Sequence, residues 1–378
     1  MTHSLTFDAV AEARPGTRWK ARWDRSWPAY EAWFRSRGGD AGPSRADCEA
    51  ALRRHMPELV PVHAELTRLA GGDDRAARFL SAWCPPAYLG GCSVAAFSRG
   101  EDVRLIRNYD LAPELNEGFL LRSEWRRPVM GMVEFLWGLS DGINDAGLSV
   151  ALAYGGSSAT GQGFGITTIL RYLLETCDTV PEALAKLARI PSHMAYNLVL
   201  ADRSGQTASV ELAAGGGVTR SDLPIATNHQ ALAAPDRPGF TLTRERRRHL
   251  AKLITLDEAP DRMRARFLEP PLFQRGYDRG FGTLFTAEYD PAASGMVLAW
   301  PGVTWSQSIQ DFREGRKEIR YGAVEARDPV DVTPPADAIT EGIDALVEQA
   351  IAGRIDWMTF ARRMAQWDAA GGNAGSSR

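Results

Sequence analysis

The chain has few cysteines, few lysines and no long apolar run, and each shortage excludes a class of protein. Its 378 residues include four cysteines without CxxC or CxxxC spacing, which indicates neither a zinc site nor a disulfide framework. Lysine occurs at only four positions, so a Schiff-base site has few candidates. No run of 18 apolar residues is present, and the start is acidic where a signal peptide is basic. We therefore expect a cytoplasmic protein with reduced thiols that does not span a membrane.

The charge balance excludes another group of functions. The 44 Lys+Arg residues face 47 Asp+Glu residues, and the formal net charge of -3 argues against nucleic acid or an anionic membrane as partner. The hydrophobic fraction of 44% is high enough for a large folded core. The sequence indicates no metal and no cofactor.

Residues 1–91 are predicted to be mostly helical. An aromatic residue recurs every three or four positions along one helix face between Thr17 and Arg37, at Trp19, Trp23, Trp27, Tyr30 and Phe34. Ser44 is expected to cap a helix that ends near His55, and a further helix is expected from Leu59 to Leu69. A turn-rich segment, PPAYLGG, follows at 85–91.

The pattern changes to strands at Cys92. A hairpin is predicted around the loop at 99–102. Further strands are expected at 129–137, 148–154, 197–201, 207–212, 283–289 and 295–300, one more ends at Asn228, and helices are expected at 166–177, 181–188, 240–256, 259–267 and about 338–367. Two blocks of strands with helices between and after them favour an α+β fold of two sheets covered by helices. The tail at 371–378 is predicted to be disordered.

The Gly91-Cys92 step is the most informative position. A glycine directly before a thiol at the start of a strand allows the thiol to attack the preceding carbonyl and break the chain through a thioester. The α-amine released on Cys92 would titrate near pH 7.7–8.0, so it can serve as general base for its own thiol. By itself, this signal is also compatible with an ordinary buried cysteine.

Arg107-Asn108-Tyr109-Asp110 ends the second strand of the predicted hairpin. A guanidinium would favour a thiolate, and a carboxylate could orient the new amine. In a straight strand Arg107 and Asp110 point to opposite faces, so we expect a bend, which Pro113 would favour. An ordinary ion pair at the surface is the alternative.

These residues and three later motifs resemble the N-terminal nucleophile hydrolases. The later motifs are NDAGL at 144–148, Thr227-Asn228-His229, and TLTRERR at 241–247. The pattern, over roughly Cys92 to Tyr289, is most similar to acyl-coenzyme A:6-aminopenicillanic acid acyltransferase, with choloylglycine hydrolases as more distant relatives.

The resemblance implies a four-layer αββα sandwich of two antiparallel sheets and self-cleavage between Gly91 and Cys92. Residues 1–91 would be a helical pro-segment, residues 92–370 the catalytic domain, and the cleaved parts would remain associated. The substrate would be a linear amide or a thioester of the acyl-coenzyme A kind. The implied catalytic residues are the nucleophile Cys92, then Arg107 and Asp110, Asn228 at the tetrahedral intermediate, and the supporting Arg244.

Two positions depart from the family pattern. Tyr154 stands where the bile salt branch has an oxyanion-hole asparagine, so its backbone N–H would have to serve, and a bile salt substrate is disfavoured. Asp145 replaces the glutamate of the N-E-x-G-L signature.

Two other interpretations are open. His229 could pair with Cys92 in an uncleaved thiol hydrolase, or it could line the substrate site together with Tyr154 and Asn228. The chain could instead be a catalytically silent member of the fold that only binds a ligand.

Overall fold

The computed structural model describes residues 3–88, 90–100, 102–231, 238–255 and 260–322. The helix predicted at 338–367 and the tail predicted at 371–378 lie outside the described residues.

The segment before Cys92 forms one strand and four helices within its described part. These are β1 (His3–Ala11), α1 (Thr17–Ser36), α2 (Arg45–His55), α3 (Val60–Leu69) and α4 (Asp74–Ser81). Ser44 caps α2 through a reciprocal pair of hydrogen bonds with Asp47, as expected from the sequence. The description of this segment as helical needs one correction, because β1 is a strand that buries Phe7 and Ala9.

The remainder of the described chain alternates strands and helices. In chain order these are β2 (Gly91–Arg99), β3 (Asp102–Leu111), β4 (Phe119–Glu124), β5 (Pro128–Glu134), β6 (Gly138–Asn144), β7 (Ser149–Tyr154), α5 (Ile166–Thr176), α6 (Val180–Leu187), β8 (Tyr196–Ala201), β9 (Thr207–Leu212), β10 (Val218–Arg220), β11 (Ile225–Ala226), α7 (Pro238–Thr241), α8 (Thr243–Thr255), α9 (Pro260–Phe267), β12 (Arg275–Gly276), β13 (Phe281–Asp290), β14 (Gly295–Trp300), β15 (Val303–Ser308) and β16 (Gly315–Tyr321). Short 3-10 helices lie at Gly39–Ala41, Pro57–Leu59, Pro113–Leu115 and Tyr277–Arg279.

The strands form two sheets. The first has the order β10-β9-β8-β7-β6-β5-β4-β1-β16, and the second has the order β11-β2-β3-β13-β14-β15 with β12 paired to β13. Strand β1 pairs in parallel with β4 and antiparallel with β16, whereas the other pairs are antiparallel. The amino-terminal strand is therefore hydrogen-bonded on both sides inside the first sheet.

The layers follow the predicted αββα order. Strands β2 and β3 contact β7 and β8 across the space between the sheets, α5 contacts β6 and β7 of the first sheet, and α8 and α9 contact β2, β3 and β11 of the second. Alternate residues of β3 serve different cores: Leu105 and Tyr109 belong to the large core, whereas Ile106 packs with Leu250 and Phe267 under the helices. The fold class predicted from the sequence is confirmed.

The β2–β3 hairpin lies at the centre of this arrangement. Cys92 pairs with Tyr109, and Gly91 pairs with Asp110. The start of β2 thus lies in the interior, between the two sheets on one side and the α8–α9 layer on the other. Among the described residues, no helix has both the length and the apolar character that a membrane span requires.

Candidate active site

The side chain and the backbone of Cys92 lie in different surroundings. Its side chain is fully buried and belongs to the core between the sheets. Its backbone N–H donates to Asn228 Oδ1 at 3.1 Å, and its carbonyl oxygen accepts from Arg246 Nη1 at 2.5 Å. Burial raises the pKa of the thiol to about 11, although the nearby Arg107 guanidinium acts to lower it. The sulfur, the nitrogen and the carbonyl group of this residue each have a polar partner.

Gly91 occupies a place with no room for a side chain. A Cβ here would overlap the ring of Phe281 and come within 2.9 Å of the Asp110 carbonyl oxygen. Glycine is therefore required by the close approach of β3 and β13. Because Gly91 has no side chain, no Cβ shields its carbonyl carbon, which is bonded to the nitrogen of Cys92.

Arg107 joins the sulfur to a buried polar cluster. Its Nη2 donates to Cys92 Sγ at 3.2 Å, and its Nη1 donates to Ser140 Oγ at 2.9 Å and to Asp141 Oδ2. The hydroxyl of Tyr289 donates to the other oxygen of Asp141. Burial lowers the pKa of Arg107, but the neighbouring Cys92 and Asp141 outweigh this, and the net pKa is raised. The guanidinium is thus a fixed cation beside the thiol.

Asp110 reaches the site from the opposite face of β3. Arg246 Nη1 lies 3.5 Å from its Oδ2, and Thr283 Oγ1 donates to its Oδ1 at 2.7 Å. Burial raises the pKa of Asp110, against the effect of Arg246. The predicted bend in β3 is absent, because β3 runs unbroken and the register shift lies in β13, between Thr283 and Phe285. Arg107 acts on the sulfur side of Cys92, and Asp110 acts on its backbone side through Arg246.

Asn228 and Tyr154 lie on the backbone side of Cys92. Asn228 Oδ1 accepts from Arg246 Nη2 at 2.6 Å in addition to Cys92 N–H, while its Nδ2 donates to the Tyr154 carbonyl oxygen at 3.2 Å. The loop that carries Asn228 is held by Asn197, whose Nδ2 donates to the carbonyl oxygens of Thr227 and His229. Tyr154 therefore contributes a backbone acceptor, which orients the Asn228 amide.

The arginine in the site is Arg246 and not Arg244. Helix α8 buries Thr243, Arg246, Leu250 and Leu253, which share one face at spacings of three and four, whereas Arg244 falls on the exposed face. Besides Cys92 and Asn228, Arg246 contacts Ser93 Oγ at 2.8 Å. Burial lowers its pKa, and the charge of Asp110 opposes this. The predicted arginine is displaced by two residues along the helix. The sequence signal that favours Arg246 is its spacing of four and seven residues from the apolar Leu250 and Leu253.

His229 is bonded away from the sulfur. Its Nδ1 lies 2.8 Å from Thr243 Oγ1 and 3.2 Å from Thr227 Oγ1. Burial, followed by the charges of Arg247, Arg244 and Arg246, lowers its pKa to about 4. The hydrogen-bond partner of Cys92 Sγ within the described residues is Arg107. This arrangement does not favour the Cys92–His229 dyad.

The NDAGL motif builds the turn between β6 and β7. Asn144 donates to the carbonyl oxygens of Leu174 and Cys177 and accepts from Leu148 N–H, while Asp145 pairs with Arg127. Among the described residues, no group of three His, Cys, Asp or Glu side chains could hold a metal ion.

Sequence reasoning missed Ser140, Asp141 and Tyr289. All three lie on strands, and their only sequence signal is a carboxylate inside the buried run GLSDGIN of β6. A carboxylate at a fully buried strand position requires a partner, so Asp141 could have been singled out for an arginine.

Comparisons with known proteins give the family. The family model of acyl-coenzyme A:6-aminopenicillanic acid acyl-transferase matches residues 98–305, more than half of the chain. No curated protein was found to be similar in sequence. Among solved structures, a mutant of the conjugated bile acid hydrolase from Clostridium perfringens is 13% identical, with 64% of this chain and 100% of that chain covered at a TM-score of 0.45.

Two further solved structures have comparably low sequence identity to this chain. Penicillin V acylase of Agrobacterium tumefaciens is 15% identical, with 60% of this chain and 90% of that chain covered at a TM-score of 0.41. The N-acylethanolamine-hydrolyzing acid amidase ortholog of Caenorhabditis elegans is 16% identical, with 60% and 99% covered at a TM-score of 0.38. On the match of the family model, this chain belongs to the acyl-coenzyme A:6-aminopenicillanic acid acyl-transferase family, and it is an enzyme that hydrolyses amides or transfers acyl groups.

Proposed function

We propose that the chain cleaves itself between Gly91 and Cys92 and then works as a cysteine amidase or acyltransferase through an acyl-Cys92 intermediate. The observation that carries this proposal is the set of contacts around one residue. Arg107 donates a hydrogen bond to Cys92 Sγ, Asn228 Oδ1 accepts one from its backbone N–H, and Arg246 donates one to its carbonyl oxygen.

Self-cleavage is an N-to-S acyl shift followed by hydrolysis. Cys92 Sγ, as thiolate beside Arg107, attacks the Gly91 carbonyl carbon, and the carbon–nitrogen bond breaks as the Cys92 nitrogen takes up a proton. Water then hydrolyses the Gly91 thioester, which gives a Gly91 carboxylate and restores the Cys92 thiol. Asn228 Oδ1, an acceptor for the peptide N–H, is placed to hold the ammonium or amine that replaces it.

Turnover repeats the chemistry on an external substrate. The free amine takes the thiol proton, Sγ attacks the substrate carbonyl, and the same proton passes to the leaving amine or thiol. Water or an acceptor amine then releases the acyl group from Cys92. The Asn228 amide is a neutral donor, and one such donor at an oxyanion is typically worth about 3–4 kcal/mol of barrier.

Linear acyl amides and acyl thioesters are the proposed substrate class. The activity named in the family's description supports this class. Within it, we assign Cys92, Arg107 and Asn228 to the reaction, and we assign Asp110 and Arg246 to orienting the new amino terminus. The parts at 1–91 and from 92 onward are proposed to remain bound to each other.

The proposal is tested by trapping the acyl-enzyme. Purified protein is mixed with a series of acyl anilides and quenched within one turnover, and the mass of the peptide that begins at Cys92 is measured. We expect that peptide to gain the mass of the acyl group in wild type and not in Cys92→Ala. Anilide hydrolysis by Cys92→Ala at the wild-type rate would contradict the proposal.

A further inference from the structure

Tyr289 lies on β13, two strands away from Cys92, and its hydroxyl begins a series of hydrogen bonds that ends at the sulfur. Tyr289 donates to Asp141 Oδ1, Asp141 Oδ2 accepts from Arg107 Nη1, and Arg107 Nη2 donates to Cys92 Sγ at 3.2 Å. All four side chains are fully buried. The series crosses from the second sheet to β6 of the first sheet and returns to the second.

A β-bulge in β13 gives this tyrosine its direction. Thr283 of β13 is opposite Asp110 of β3, and after a register shift Ala287 is opposite Arg107. Asp110 and Arg107 point to opposite faces of β3 because they are three residues apart. Thr283 and Ala287 are four residues apart and would share a face of a regular strand. The bulge therefore turns the later part of β13 over.

The two parts of β13 support two different sides of Cys92. Before the bulge, Thr283 Oγ1 donates to Asp110 Oδ1 at 2.7 Å, on the side of the α8–α9 helices. After the bulge, Tyr289 shares a face with Ala287 and belongs to the large core between the sheets. A strand without the bulge would direct Thr283 and Tyr289 to the same face.

The guanidinium of Arg107 is oriented by its neighbours in this core. The Tyr109 ring packs against it, with the ring centroid 4.2 Å from Cζ. Nη1 donates to Asp141 and to Ser140 Oγ, whereas Nε has no hydrogen-bond partner among the described residues. Because a guanidinium is planar and rigid, the groups that hold Nη1 also decide where Nη2 points.

Asp141 in turn depends on Tyr289. Its Oδ2 accepts from Arg107 and lies 3.4 Å from Ser140 Oγ, while within the described residues its Oδ1 accepts from the tyrosine hydroxyl. Without that hydroxyl, Oδ1 would be a buried carboxylate oxygen with no donor, which costs more than the hydrogen bond itself contributes. The carboxyl group would then turn towards another donor or take up a proton, and either change loosens its hold on Arg107.

We propose that Tyr289 is a positioning residue for the nucleophile, which acts through Asp141 to hold Arg107 Nη2 on Cys92 Sγ. This inference rests on the proposed function and adds to it a residue that does not touch the sulfur. The bulge makes the role possible, because it brings the hydroxyl to the side of β13 that faces Asp141.

Removing the hydroxyl should slow self-cleavage by a factor that depends on pH. The charged and titratable groups around Asp141 are Arg107 and Tyr289, its hydrogen-bond partners, Glu134 on the neighbouring strand β5, and the Cys92 thiol beyond Arg107. A carboxylate that has lost a donor takes up a proton more readily, so the share of molecules with an anchored guanidinium falls as the pH falls. A role that is only structural would slow cleavage equally at every pH.

The test follows self-cleavage of chains made by cell-free synthesis, as the cleaved fraction against time between about pH 6 and pH 9. Tyr289→Phe should cleave roughly tenfold more slowly than wild type at the acid end and within about threefold of wild type at the alkaline end. Tyr321→Phe is the matched control, because its buried hydroxyl donates to the Leu284 carbonyl oxygen at 2.6 Å. It should stay within about twofold of wild type throughout. A ratio of wild type to Tyr289→Phe that does not change with pH, or equal losses in the two variants, would overturn the inference.

Alkylation of Cys92 gives a second readout that does not need cleavage. The rate of its reaction with iodoacetamide is measured from the mass of the peptide that contains it, in wild type and both variants. The thiolate is the reacting form, so we expect the same pH-dependent ratio for Tyr289→Phe.

The two readouts separate this inference from the proposed function. A wild type that stays uncut while the alkylation ratio changes with pH would contradict the proposed function and support the role of Tyr289. Cleavage and alkylation of Tyr289→Phe at wild-type rates, with a wild type that cuts itself, would do the reverse. A Cys92 that neither cleaves nor reacts in wild type would contradict both.

Discussion

At the scale of single residues, the reactivity of Cys92 depends on the polar groups that contact it. Burial works against the thiolate, and Arg107 is the contact that favours it. The sulfur therefore depends on one guanidinium, which Ser140 and Asp141 hold in place.

Replacing Arg107 with Gln should slow self-cleavage roughly 30-fold, because a hydrogen bond to a charged group is worth about 2 kcal/mol. It should also lower the unfolding free energy, because the buried Asp141 carboxylate loses its cation. The rate should rise with pH, since the thiolate is the attacking form, and the rise should extend to higher pH in the variant. The cleaved fraction is measured against time across the pH range. Ser140→Ala, which removes a neutral partner of the same guanidinium, should change the rate far less; equal effects would contradict the assigned role.

Asn228→Ala should lower kcat by about 10²–10³ with a smaller change in KM, because the amide acts on the tetrahedral intermediate. His229→Gln is the matched comparison from the next position and should lose less than about tenfold. Loss of all activity in His229→Gln with a mild effect in Asn228→Ala would instead support the Cys92–His229 dyad. Both variants are measured after their cleavage state has been checked.

Glu134 makes a prediction about stability. Its pKa in the folded chain is raised to about 7, so the unfolded chain loses this proton at lower pH than the folded chain does. Its contribution is favourable below the ordinary glutamate pKa and is lost as pH rises through about 7. Glu134→Gln should therefore be more stable than wild type at pH 8 and close to it at pH 4, by denaturant unfolding; the opposite order would contradict the assigned environment.

At the scale of elements, helix α8 separates two arginines that are two residues apart. Arg246 is fully buried against Asp110, so Arg246→Gln should leave an uncompensated carboxylate and cost about 3–5 kcal/mol of unfolding free energy, with loss of self-cleavage. Arg244→Gln, on the exposed face, should stay within about 0.5 kcal/mol of wild type and cleave normally. Urea unfolding and the cleaved fraction of both proteins decide between the two positions.

The elements with strong local signals were predictable, and those defined by their neighbours were not. The helix α2 has its capping residue Ser44 in sequence, and the β2–β3 hairpin has a polar loop between two apolar segments. Strand β6, GLSDGIN, contains residues that are rare in strands and forms because it is buried between β5 and β7.

The candidate site divides in the same way. Cys92, Arg107, Asp110 and Asn228 were found from motifs, and the structure brings them together through hydrogen bonds. Arg246 depends on the phase of α8, and Asp141 and Tyr289 meet only after β3, β6 and β13 have assembled. No spacing in the sequence connects residues 107, 141 and 289, so tertiary packing alone reveals that cluster.

At the scale of the whole molecule, the amino-terminal segment before the proposed cut is packed into the part of the chain that follows the cut. Strand β1 lies between β4 and β16, and its Phe7 packs on Trp300 with ring centroids 5.0 Å apart and on Phe285 at 5.9 Å. Helix α1 holds the turn after Glu134. The fragment at 1–91 should therefore stay bound after cleavage.

Phe7→Ala should lower the unfolding free energy by about 3–5 kcal/mol, as expected for a fully buried aromatic side chain. In the cleaved protein it should also weaken the association of the two fragments, which is measured by size-exclusion chromatography in rising urea. Lys317→Ala, on the neighbouring strand β16 and partly exposed, is the control and should have little effect. Fragments that separate in buffer without urea in wild type would contradict this view of β1.

The central claim is tested most directly by intact mass spectrometry of the wild-type protein beside Cys92→Ala. We predict two wild-type polypeptides, residues 1–91 with a free Gly91 carboxylate and a second chain that begins with Cys92, and a single uncut chain for Cys92→Ala. A wild-type protein that stays one chain while hydrolysing acyl amides, or a Cys92→Ala protein cut at the same bond, would contradict the account.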